Sequence, residues 1–119
     1  MKFPEYQHQV ALFQWASLQC CTIPELRLLN ASLNGLRLPI GLAVKAKRSG
    51  MKRGIPDVML PCTRKGFSGL FIELKDGKNK LSEHQEQWKK DLESENYLVK
   101  VSYKLEDSIE IIKNYLGAR

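Results

Sequence analysis

The chain has 119 residues and a formal net charge of +6 at pH 7, from 19 basic and 13 acidic side chains. This length predicts one domain, residues 1–119, too small for a separate substrate-recognition domain. It has neither an apolar run approaching ~20 residues nor a signal peptide's apolar stretch, so we expect an intracellular, cytoplasmic protein of bacterial or viral origin without membrane contact. Three cysteines without paired metal spacing argue against a disulfide framework or zinc site. We expect thiols in or near the core at Cys20, Cys21 and Cys62.

A first helix is predicted over about Pro4–Cys20, since Pro is tolerated in a first turn. On a helical projection, Leu12 and Ala16 lie in an apolar arc that also contains Glu5 and Gln9. An ionised Glu is costly to bury without a partner. Glu5 therefore lies either at an exposed helix start, near the positive end of the helix dipole, or in a polar pocket.

Between this helix and residue 54 the pattern is weaker. Residues 26–29 suit either a strand or a helical extension, and Asn30 and Asn34-Gly35 indicate turns. Pro39 and Gly50 are a suitable start and stop for a second helix over about residues 40–49.

Two apolar runs bounded by Gly and Pro, residues 54–60 and 69–75, predict a β-hairpin. Glu73 and Lys75 point to the same side because side chains alternate along a strand. Pairing would place Asp57 opposite or diagonal to Glu73, with Cβ atoms roughly 5 to 8 Å apart. Such carboxylates repel unless a cation lies between them, and Mg²⁺ fits. With Lys75 to hold a water or offset phosphate charge, the pattern favours metal-assisted phosphodiester hydrolysis over a turn Asp and a solvated charge pair.

Basic residues are concentrated before and after this hairpin. Residues 26–56 contain no acidic side chain and seven basic ones, whereas the remainder of the chain is close to neutral. This segment runs directly into Asp57, which would place positive potential beside the site and suit a phosphate backbone. An ordinary basic helix face is the alternative. The candidate nucleic-acid-binding residues are Lys45, Lys47, Arg48, Lys52 and Arg53, with Lys78 and Lys80 after the second strand.

Ser82 looks like the N-cap of a third helix. Gln85, three residues on, completes a capping-box spacing in which its side chain would bond back to the helix start. Gln85 also shares a helical stripe with Leu81 and Trp88, so a role at the site stays open. His84, like His8 on the first helix, is expected to be solvated.

A third strand over about residues 97–101 and a last helix over residues 105–116, stopped by Gly117, complete the chain. The predicted order is that of an α/β sandwich with a small mixed sheet: helix, helix, strand, strand, helix, strand, helix.

The chain resembles the VRR-NUC family, the virus-type replication and repair nuclease module of the PD-(D/E)XK superfamily. The resemblance extends loosely over residues 5–116. It implies the α/β PD-(D/E)XK nuclease-like core, a small mixed β-sheet flanked by α-helices. The motifs that carry it are Gly54-x-Pro56-Asp57, Glu73-Leu74-Lys75 and Leu81-Ser82-x-x-Gln85-x-x-Trp88.

By position, Asp57 and Glu73 look like the metal-binding acids of this family, and Lys75 like its catalytic lysine. Gln85 resembles its helix glutamine, and Glu5 its first-helix glutamate. We expect the Leu74 backbone carbonyl to join the two acids around Mg²⁺ or Mn²⁺. The resemblance also makes Asn30 a possible rim residue, although a turn is favoured.

The function expected is a metal-dependent, structure-selective DNA endonuclease. Stand-alone members of the family resemble Holliday-junction resolvases, and a chain with one site needs a symmetric partner to cut two strands. A homodimer acting on branched DNA is therefore the leading hypothesis. The alternatives are a nickase, a flap-type or RNA endonuclease on the same core, or a module that binds the DNA backbone without cutting it.

Overall fold

The computed structural model describes residues 3–32 and 37–118, which form one four-stranded sheet with helices on both faces. The predicted α/β architecture is confirmed. In chain order the elements are α1 (Phe3–Gln19), a 3₁₀ helix (Pro24–Leu28), β1 (Asn30–Ala31), α2 (Ile40–Arg48), β2 (Val58–Leu60), β3 (Leu70–Leu74), α3 (Glu83–Ser94), β4 (Leu98–Ser102) and α4 (Leu105–Leu116).

The predicted hairpin is confirmed and forms the centre of the sheet, whose strand order is β1-β2-β3-β4. β2 and β3 pair antiparallel, with Val58 opposite Ile72. The connection turns at Gly66, whose φ of 84° lies in the left-handed region that a residue without a Cβ adopts at little cost. The two apolar runs are therefore held side by side.

β4 lies on the other side of β3 and runs parallel to it, with Val101 beside Glu73. Parallel neighbours cannot be joined by a tight turn, so the chain crosses over through α3. β4 begins one residue later than the predicted strand, at Leu98.

The hydrophobic core lies on the face of the sheet that carries the even-numbered side chains of β3. Leu12 of α1 and Ile112 of α4 pack against that face and are fully buried. The opposite face carries Glu73 and is approached by α3, whose Gln85 reaches this carboxylate. Helix packing on one face thus fixes the sheet, and the other face carries both the Glu73 carboxyl group and apolar side chains such as Phe71.

Two predictions between α1 and α2 are corrected. Residues 26–29 are neither a strand nor an extension of α1, because Pro24 starts a separate 3₁₀ helix. Asn30 is in a strand rather than a turn and pairs with Met59. The outer edge of β2 is the cause, since its unpaired backbone groups accept a short partner strand. The turn predicted at Asn34-Gly35 lies outside the described residues.

A buried polar chain joins α1, α4 and β4. His8 Nε2 lies 2.9 Å from Ser108 Oγ, and Ser108 Oγ lies 2.7 Å from Ser102 Oγ. Both serines are fully buried. His8 is half-buried rather than solvated, and this burial lowers its pKa despite the nearby acidic residues.

The three cysteines are all free thiols, and they differ in exposure. Cys62 is buried and Cys20 is partly buried, in agreement with the prediction, whereas Cys21 is exposed. Cys21 follows the end of α1, where the chain turns toward the 3₁₀ helix. Its position at a turn explains why the apolar run does not bury it.

Replacing Ile112 by Ala is expected to lower the free energy of unfolding by about 2–5 kcal/mol, because it opens a cavity at a fully buried position. Urea denaturation followed by circular dichroism measures this. The control is Ile40→Ala, at a position 86% exposed, which should change the stability by no more than about 0.5 kcal/mol. Equal losses in the two variants would contradict the assignment of the core.

Candidate active site

Asp57 lies immediately before β2, and extending the β2–β3 register places it opposite Glu73. Its Oδ2 atom accepts a hydrogen bond of 2.8 Å from the backbone N–H of Leu74. The side chain is only 7% exposed. The backbone of the neighbouring strand therefore holds this carboxylate, which cannot turn outward without leaving the Leu74 N–H unpaired.

Glu73 is 5% exposed and has an asymmetric environment. Its Oε1 accepts a hydrogen bond of 2.8 Å from Gln85 Nε2. Its Oε2 is buried and accepts no N–H hydrogen bond from the described residues, but the carboxyl groups of Glu73 and Asp57 are close enough to share a hydrogen bond when one of them is protonated. A buried carboxylate oxygen without an N–H donor is costly in free energy and requires an explanation.

The two carboxyl groups affect each other's ionisation in opposite directions: Asp57 raises the pKa of Glu73, whereas a hydrogen bond from Glu73 lowers the pKa of Asp57. Burial first, and then the neighbouring charge of Asp57, together raise the pKa of Glu73 to about 9. Burial also raises the pKa of Asp57, and the hydrogen bond from the Leu74 N–H partly offsets this. Such a pair favours a shared proton near neutral pH, or a cation in its place.

The donor chemistry of this pair suits a hard divalent cation. Asp57 and Glu73 offer carboxylate oxygens, and Oε2 of Glu73 accepts no N–H hydrogen bond from the described residues. Across residues 3–32 and 37–118, no three His, Cys, Asp or Glu side chains come close enough to form a metal-binding group. Two carboxylates with water are sufficient for Mg²⁺, whereas a structural zinc site needs four protein ligands.

Gln85 both caps the start of α3 and contacts the Glu73 carboxyl group, the two possibilities that its spacing left open. Its Oε1 accepts from the backbone N–H of Ser82 at 2.9 Å, while Ser82 Oγ accepts from the backbone N–H of Gln85 at 3.2 Å. Its Nε2 remains available and donates to Glu73. The capping box thus fixes the amide so that its N–H group points to the carboxylate.

The segment before Asp57 approaches α3 very closely at Gly54. A Cβ atom at this position would lie 2.6 Å from the His84 Cβ and 2.9 Å from the His84 backbone carbon, and Gly54 has a φ of +92°. Trp88, one turn further along α3, donates from Nε1 to the Arg53 carbonyl at 3.0 Å. These two contacts hold the segment that ends in Asp57 against the helix that carries Gln85.

Lys75 and Glu5 act on the carboxylates through their charges. Lys75 follows β3 directly, and its backbone N–H donates to the Ser102 carbonyl at 2.9 Å. The pKa of Glu73, raised first by burial and by Asp57, is lowered by Lys75 and raised further by Glu5. Both side chains are half-buried. Glu5 lies in the first turn of α1, is half-buried there, and is near enough for its charge to raise the pKa of both carboxyl groups.

The structure brings only some of the predicted basic residues to the site. Lys52 lines a groove that also contains Pro56, and the backbone of Arg53 contacts Trp88. The others lie in the last turn of α2 and in the loop from β3 to α3. All seven predicted side chains are exposed: Lys45, Lys47, Arg48, Lys52, Arg53, Lys78 and Lys80.

Sequence reasoning missed the groove itself. Asn30, assigned to a turn, is one of its lining residues, together with Met59, Phe71 and Trp88. The registers place Asn30 opposite Met59 and Met59 opposite Phe71, so these three form one row across the sheet. No pattern in the sequence predicts the short strand β1. Without that strand, the alignment of Asn30 with Met59 and Phe71 cannot be predicted.

Comparison with known proteins agrees with this architecture. The model of the VRR-NUC domain family matches residues 4–103, which include the whole candidate site. A solved structure described as a VRR-NUC domain protein superposes with a TM-score of 0.77 at 24% sequence identity, over 98% of this chain and 91% of that chain. No curated protein matches the sequence. The fold is therefore shared with that structure over nearly the whole chain, including α4.

Replacing Gly54 by Ala is expected to lower the free energy of unfolding by more than about 2 kcal/mol. The new Cβ would overlap the backbone of α3, and the positive φ would strain any residue with a side chain. Chemical denaturation measures the change. Gly41→Ala is the control, because nothing lies within 4 Å of its added Cβ and Ala favours a helix. A Gly54→Ala variant as stable as wild type would contradict the close approach.

The stability of the protein in EDTA is expected to fall as the pH rises from about 4.5 to about 9. The folded state retains the Glu73 proton over this interval whereas the unfolded state loses it, so folding becomes less favourable. Glu73→Gln should remove part of this dependence and raise the free energy of unfolding at pH 8 by a few kcal/mol. Denaturation at several pH values measures both effects. Parallel curves for the two proteins would refute the raised pKa, and Glu93→Gln at an exposed position should follow wild type.

Proposed function

The chain belongs to the VRR-NUC family, and from this premise we propose that it hydrolyses phosphodiester bonds in DNA as a metal-dependent, structure-selective endonuclease. The observation that carries the proposal is the pair of adjacent buried carboxyl groups, Asp57 and Glu73, whose pKa values are both raised by burial. A purely structural protein would gain stability by replacing either acid, because burying charge without a partner is costly. Catalysis explains why both are present.

In this proposal Asp57, Glu73 and the Leu74 backbone carbonyl hold Mg²⁺ or Mn²⁺. When bound, the ion polarises a phosphoryl oxygen and lowers the pKa of a coordinated water. The protein's own contribution is orientation: the Leu74 N–H fixes Asp57, and the Gln85 amide fixes Glu73. The two carboxylates are therefore held in place before substrate arrives, which removes a reorganisation cost from the reaction.

Lys75 supplies the positive charge at the centre. It directly follows β3, and it already acts electrostatically on both carboxylates. Its ammonium group would hold the attacking water and stabilise the negative charge that develops on the phosphate. Glu5, whose charge opposes that of Lys75 at both carboxylates, would orient the same water.

The exposed basic residues would bind the DNA backbone. Lys52 lies beside the site, and the last turn of α2 carries Lys45, Lys47 and Arg48. Phosphate contacts of this kind position a substrate without reading its sequence. They support selection by shape, and hence a branched substrate, over recognition of a base sequence.

We keep two finer features within the proposal. A homodimer would supply two sites for symmetric cuts in a four-way junction, as in a Holliday-junction resolvase. Nickase or flap-type cleavage by a single chain is the enzyme alternative. A non-catalytic DNA-binding module is less favoured, because it gives no reason to bury Asp57 and Glu73 together.

Metal-dependent cleavage is expected for a four-way DNA junction, compared with matched linear duplex, flap and single strand in Mg²⁺, Mn²⁺ or EDTA. Lys75→Ala should slow cleavage by about 10²-fold or more, the usual effect of removing one charge-stabilising group. Gel analysis of end-labelled strands measures both the rate and the symmetry of the cuts.

The control for this experiment is Lys113→Ala, which removes a lysine from α4, on the opposite face of the sheet from Gln85. It should cleave at the wild-type rate. Paired symmetric cuts on the junction would support the dimeric resolvase, whereas cuts in one strand would favour the nickase or flap enzyme. Folded wild-type protein without metal-dependent cleavage of any of the four substrates would overturn the nuclease proposal.

A further inference from the structure

An apolar groove of about 450 Å³ opens on the α3 side of the sheet. Its lining includes Met51, Ile55, Met59, Phe71 and Trp88, with Lys52 as the charged member. None of the five apolar side chains has a role in the reaction proposed above. The volume of the groove is in the range of sites that bind small organic groups, and such sites are apolar clefts with a few polar groups.

Two residues that line the groove are close to the carboxylates along the chain. Pro56, which lines it, immediately precedes Asp57. Phe71, which also lines it, lies two residues before Glu73 on the same face of β3, about 7 Å along the strand. A strand of DNA whose phosphate meets Asp57 and Glu73 therefore has the groove within reach of the adjoining nucleotide.

The two aromatic rings of the groove are held in place without a ligand. Trp88 is anchored by its hydrogen bond to the Arg53 carbonyl. Phe71 packs edge to face against Tyr97, with ring centroids 5.4 Å apart and an angle of 74° between the planes. Phe71 is only 6% exposed and lies at the bottom of the groove, so the ring left to contact a ligand is that of Trp88, which is partly exposed. A ring that is already ordered loses little conformational freedom on binding, so a flat apolar ligand gains more from the contact.

We infer that this groove binds the base of an unpaired nucleotide next to the scissile phosphate. The inference rests on the proposed nuclease function and names its substrate more closely. A base inside a duplex is stacked on both faces and presents only an edge, whereas an unpaired base can leave the stack and enter an aromatic-lined pocket. Lys52, in the groove lining, meets the phosphate next to that base. The enzyme thus selects DNA in which one nucleotide is free, as at a branch point or flap.

A larger groove, of about 660 Å³, runs along the outer face of α1 and is lined by residues such as Tyr6, Val10 and Leu18. None of its lining residues adjoins Asp57 or Glu73 along the chain, and it contains no lysine or arginine. Tyr6 follows Glu5, so this groove starts near the site, but its lining offers no positive side chain for the phosphate next to a bound base, and size alone does not make it the base-binding groove.

Binding in EDTA, where no cleavage occurs, tests the inference with three labelled duplexes that differ at one position. The first has one unpaired thymidine, the second an unpaired abasic nucleotide, and the third is fully paired. Fluorescence anisotropy should give about tenfold tighter binding of the first than of the second, since stacking of one base contributes about 1–3 kcal/mol. Equal affinities for these two probes would overturn the inference.

Met59→Trp fills the groove from β2 and should abolish the preference for the thymidine probe while binding to the paired duplex persists. Val44→Trp is the matched control, on the exposed surface of α2 and outside the groove lining, and should keep the wild-type preference. A Met59→Trp protein that folds and retains the preference would place the base elsewhere and contradict the groove.

A second measurement keeps the test valid if Met59→Trp does not fold. The chain has two tryptophans, so Trp15→Phe leaves Trp88 as the sole emitter. An unpaired 5-bromouracil nucleotide should quench Trp88 emission at saturation, and the same base within a paired duplex should not. Equal quenching by both probes, or by neither, would overturn the inference.

The two proposals fail in different ways. Metal-dependent cleavage without a base preference overturns the groove and leaves the nuclease. A base preference with Trp88 quenching but no cleavage in metal supports the groove and overturns the nuclease. Protein that binds none of the three probes overturns the base-binding groove.

Discussion

The antiparallel pairing of β2 with β3 is the constraint on which the rest of this structure depends. Its register brings Asp57 opposite Glu73, both nearly fully buried, and burial together with the charge of Asp57 raises the cost of ionising Glu73. A core would normally exclude such a pair. The surrounding contacts are best understood as the means by which the fold tolerates it: a backbone N–H on one carboxylate, an amide on the other, and a lysine next along the chain.

α3 connects the separate parts of the site. Because β3 and β4 are parallel, the chain between them must cross over the sheet, and α3 forms this crossover. The helix lies on the face of the sheet that carries Glu73. Over two turns it presents the capping box that orients Gln85, the backbone that meets Gly54, and the Trp88 ring that contacts the Arg53 carbonyl. One short helix therefore ties the carboxylates, the segment before Asp57 and the apolar groove into a single arrangement.

One face of the sheet carries the hydrophobic core, and the other carries the candidate active site. The helices α1 and α4 bury the aliphatic side chains of the core, and this packing supplies the stability that offsets the cost of the buried acids. In the described residues, no helix is long and apolar enough to span a membrane. The basic residues of α2 and the adjoining loop remain exposed, where they can meet a charged polymer without a desolvation cost.

Local chemistry in the sequence was enough to predict most of this protein. Gly and Pro bound the strands and α2, alternation set the direction of Glu73, and helical spacing predicted α1 and α4 to within a few residues, because each signal acts between near neighbours in the chain. Asn30 and His8 were misjudged, since an edge strand and a buried Ser108 contact depend on residues far away in sequence. The same holds for the two roles of Gln85. Spacing allowed a cap or an inward side chain, and only the packing of α3 against β3 brought its free N–H to Glu73. The sequence by itself thus determined which groups are candidates for the chemistry; the tertiary structure decided which of them meet, because burial and long-range pairing are properties of the whole fold.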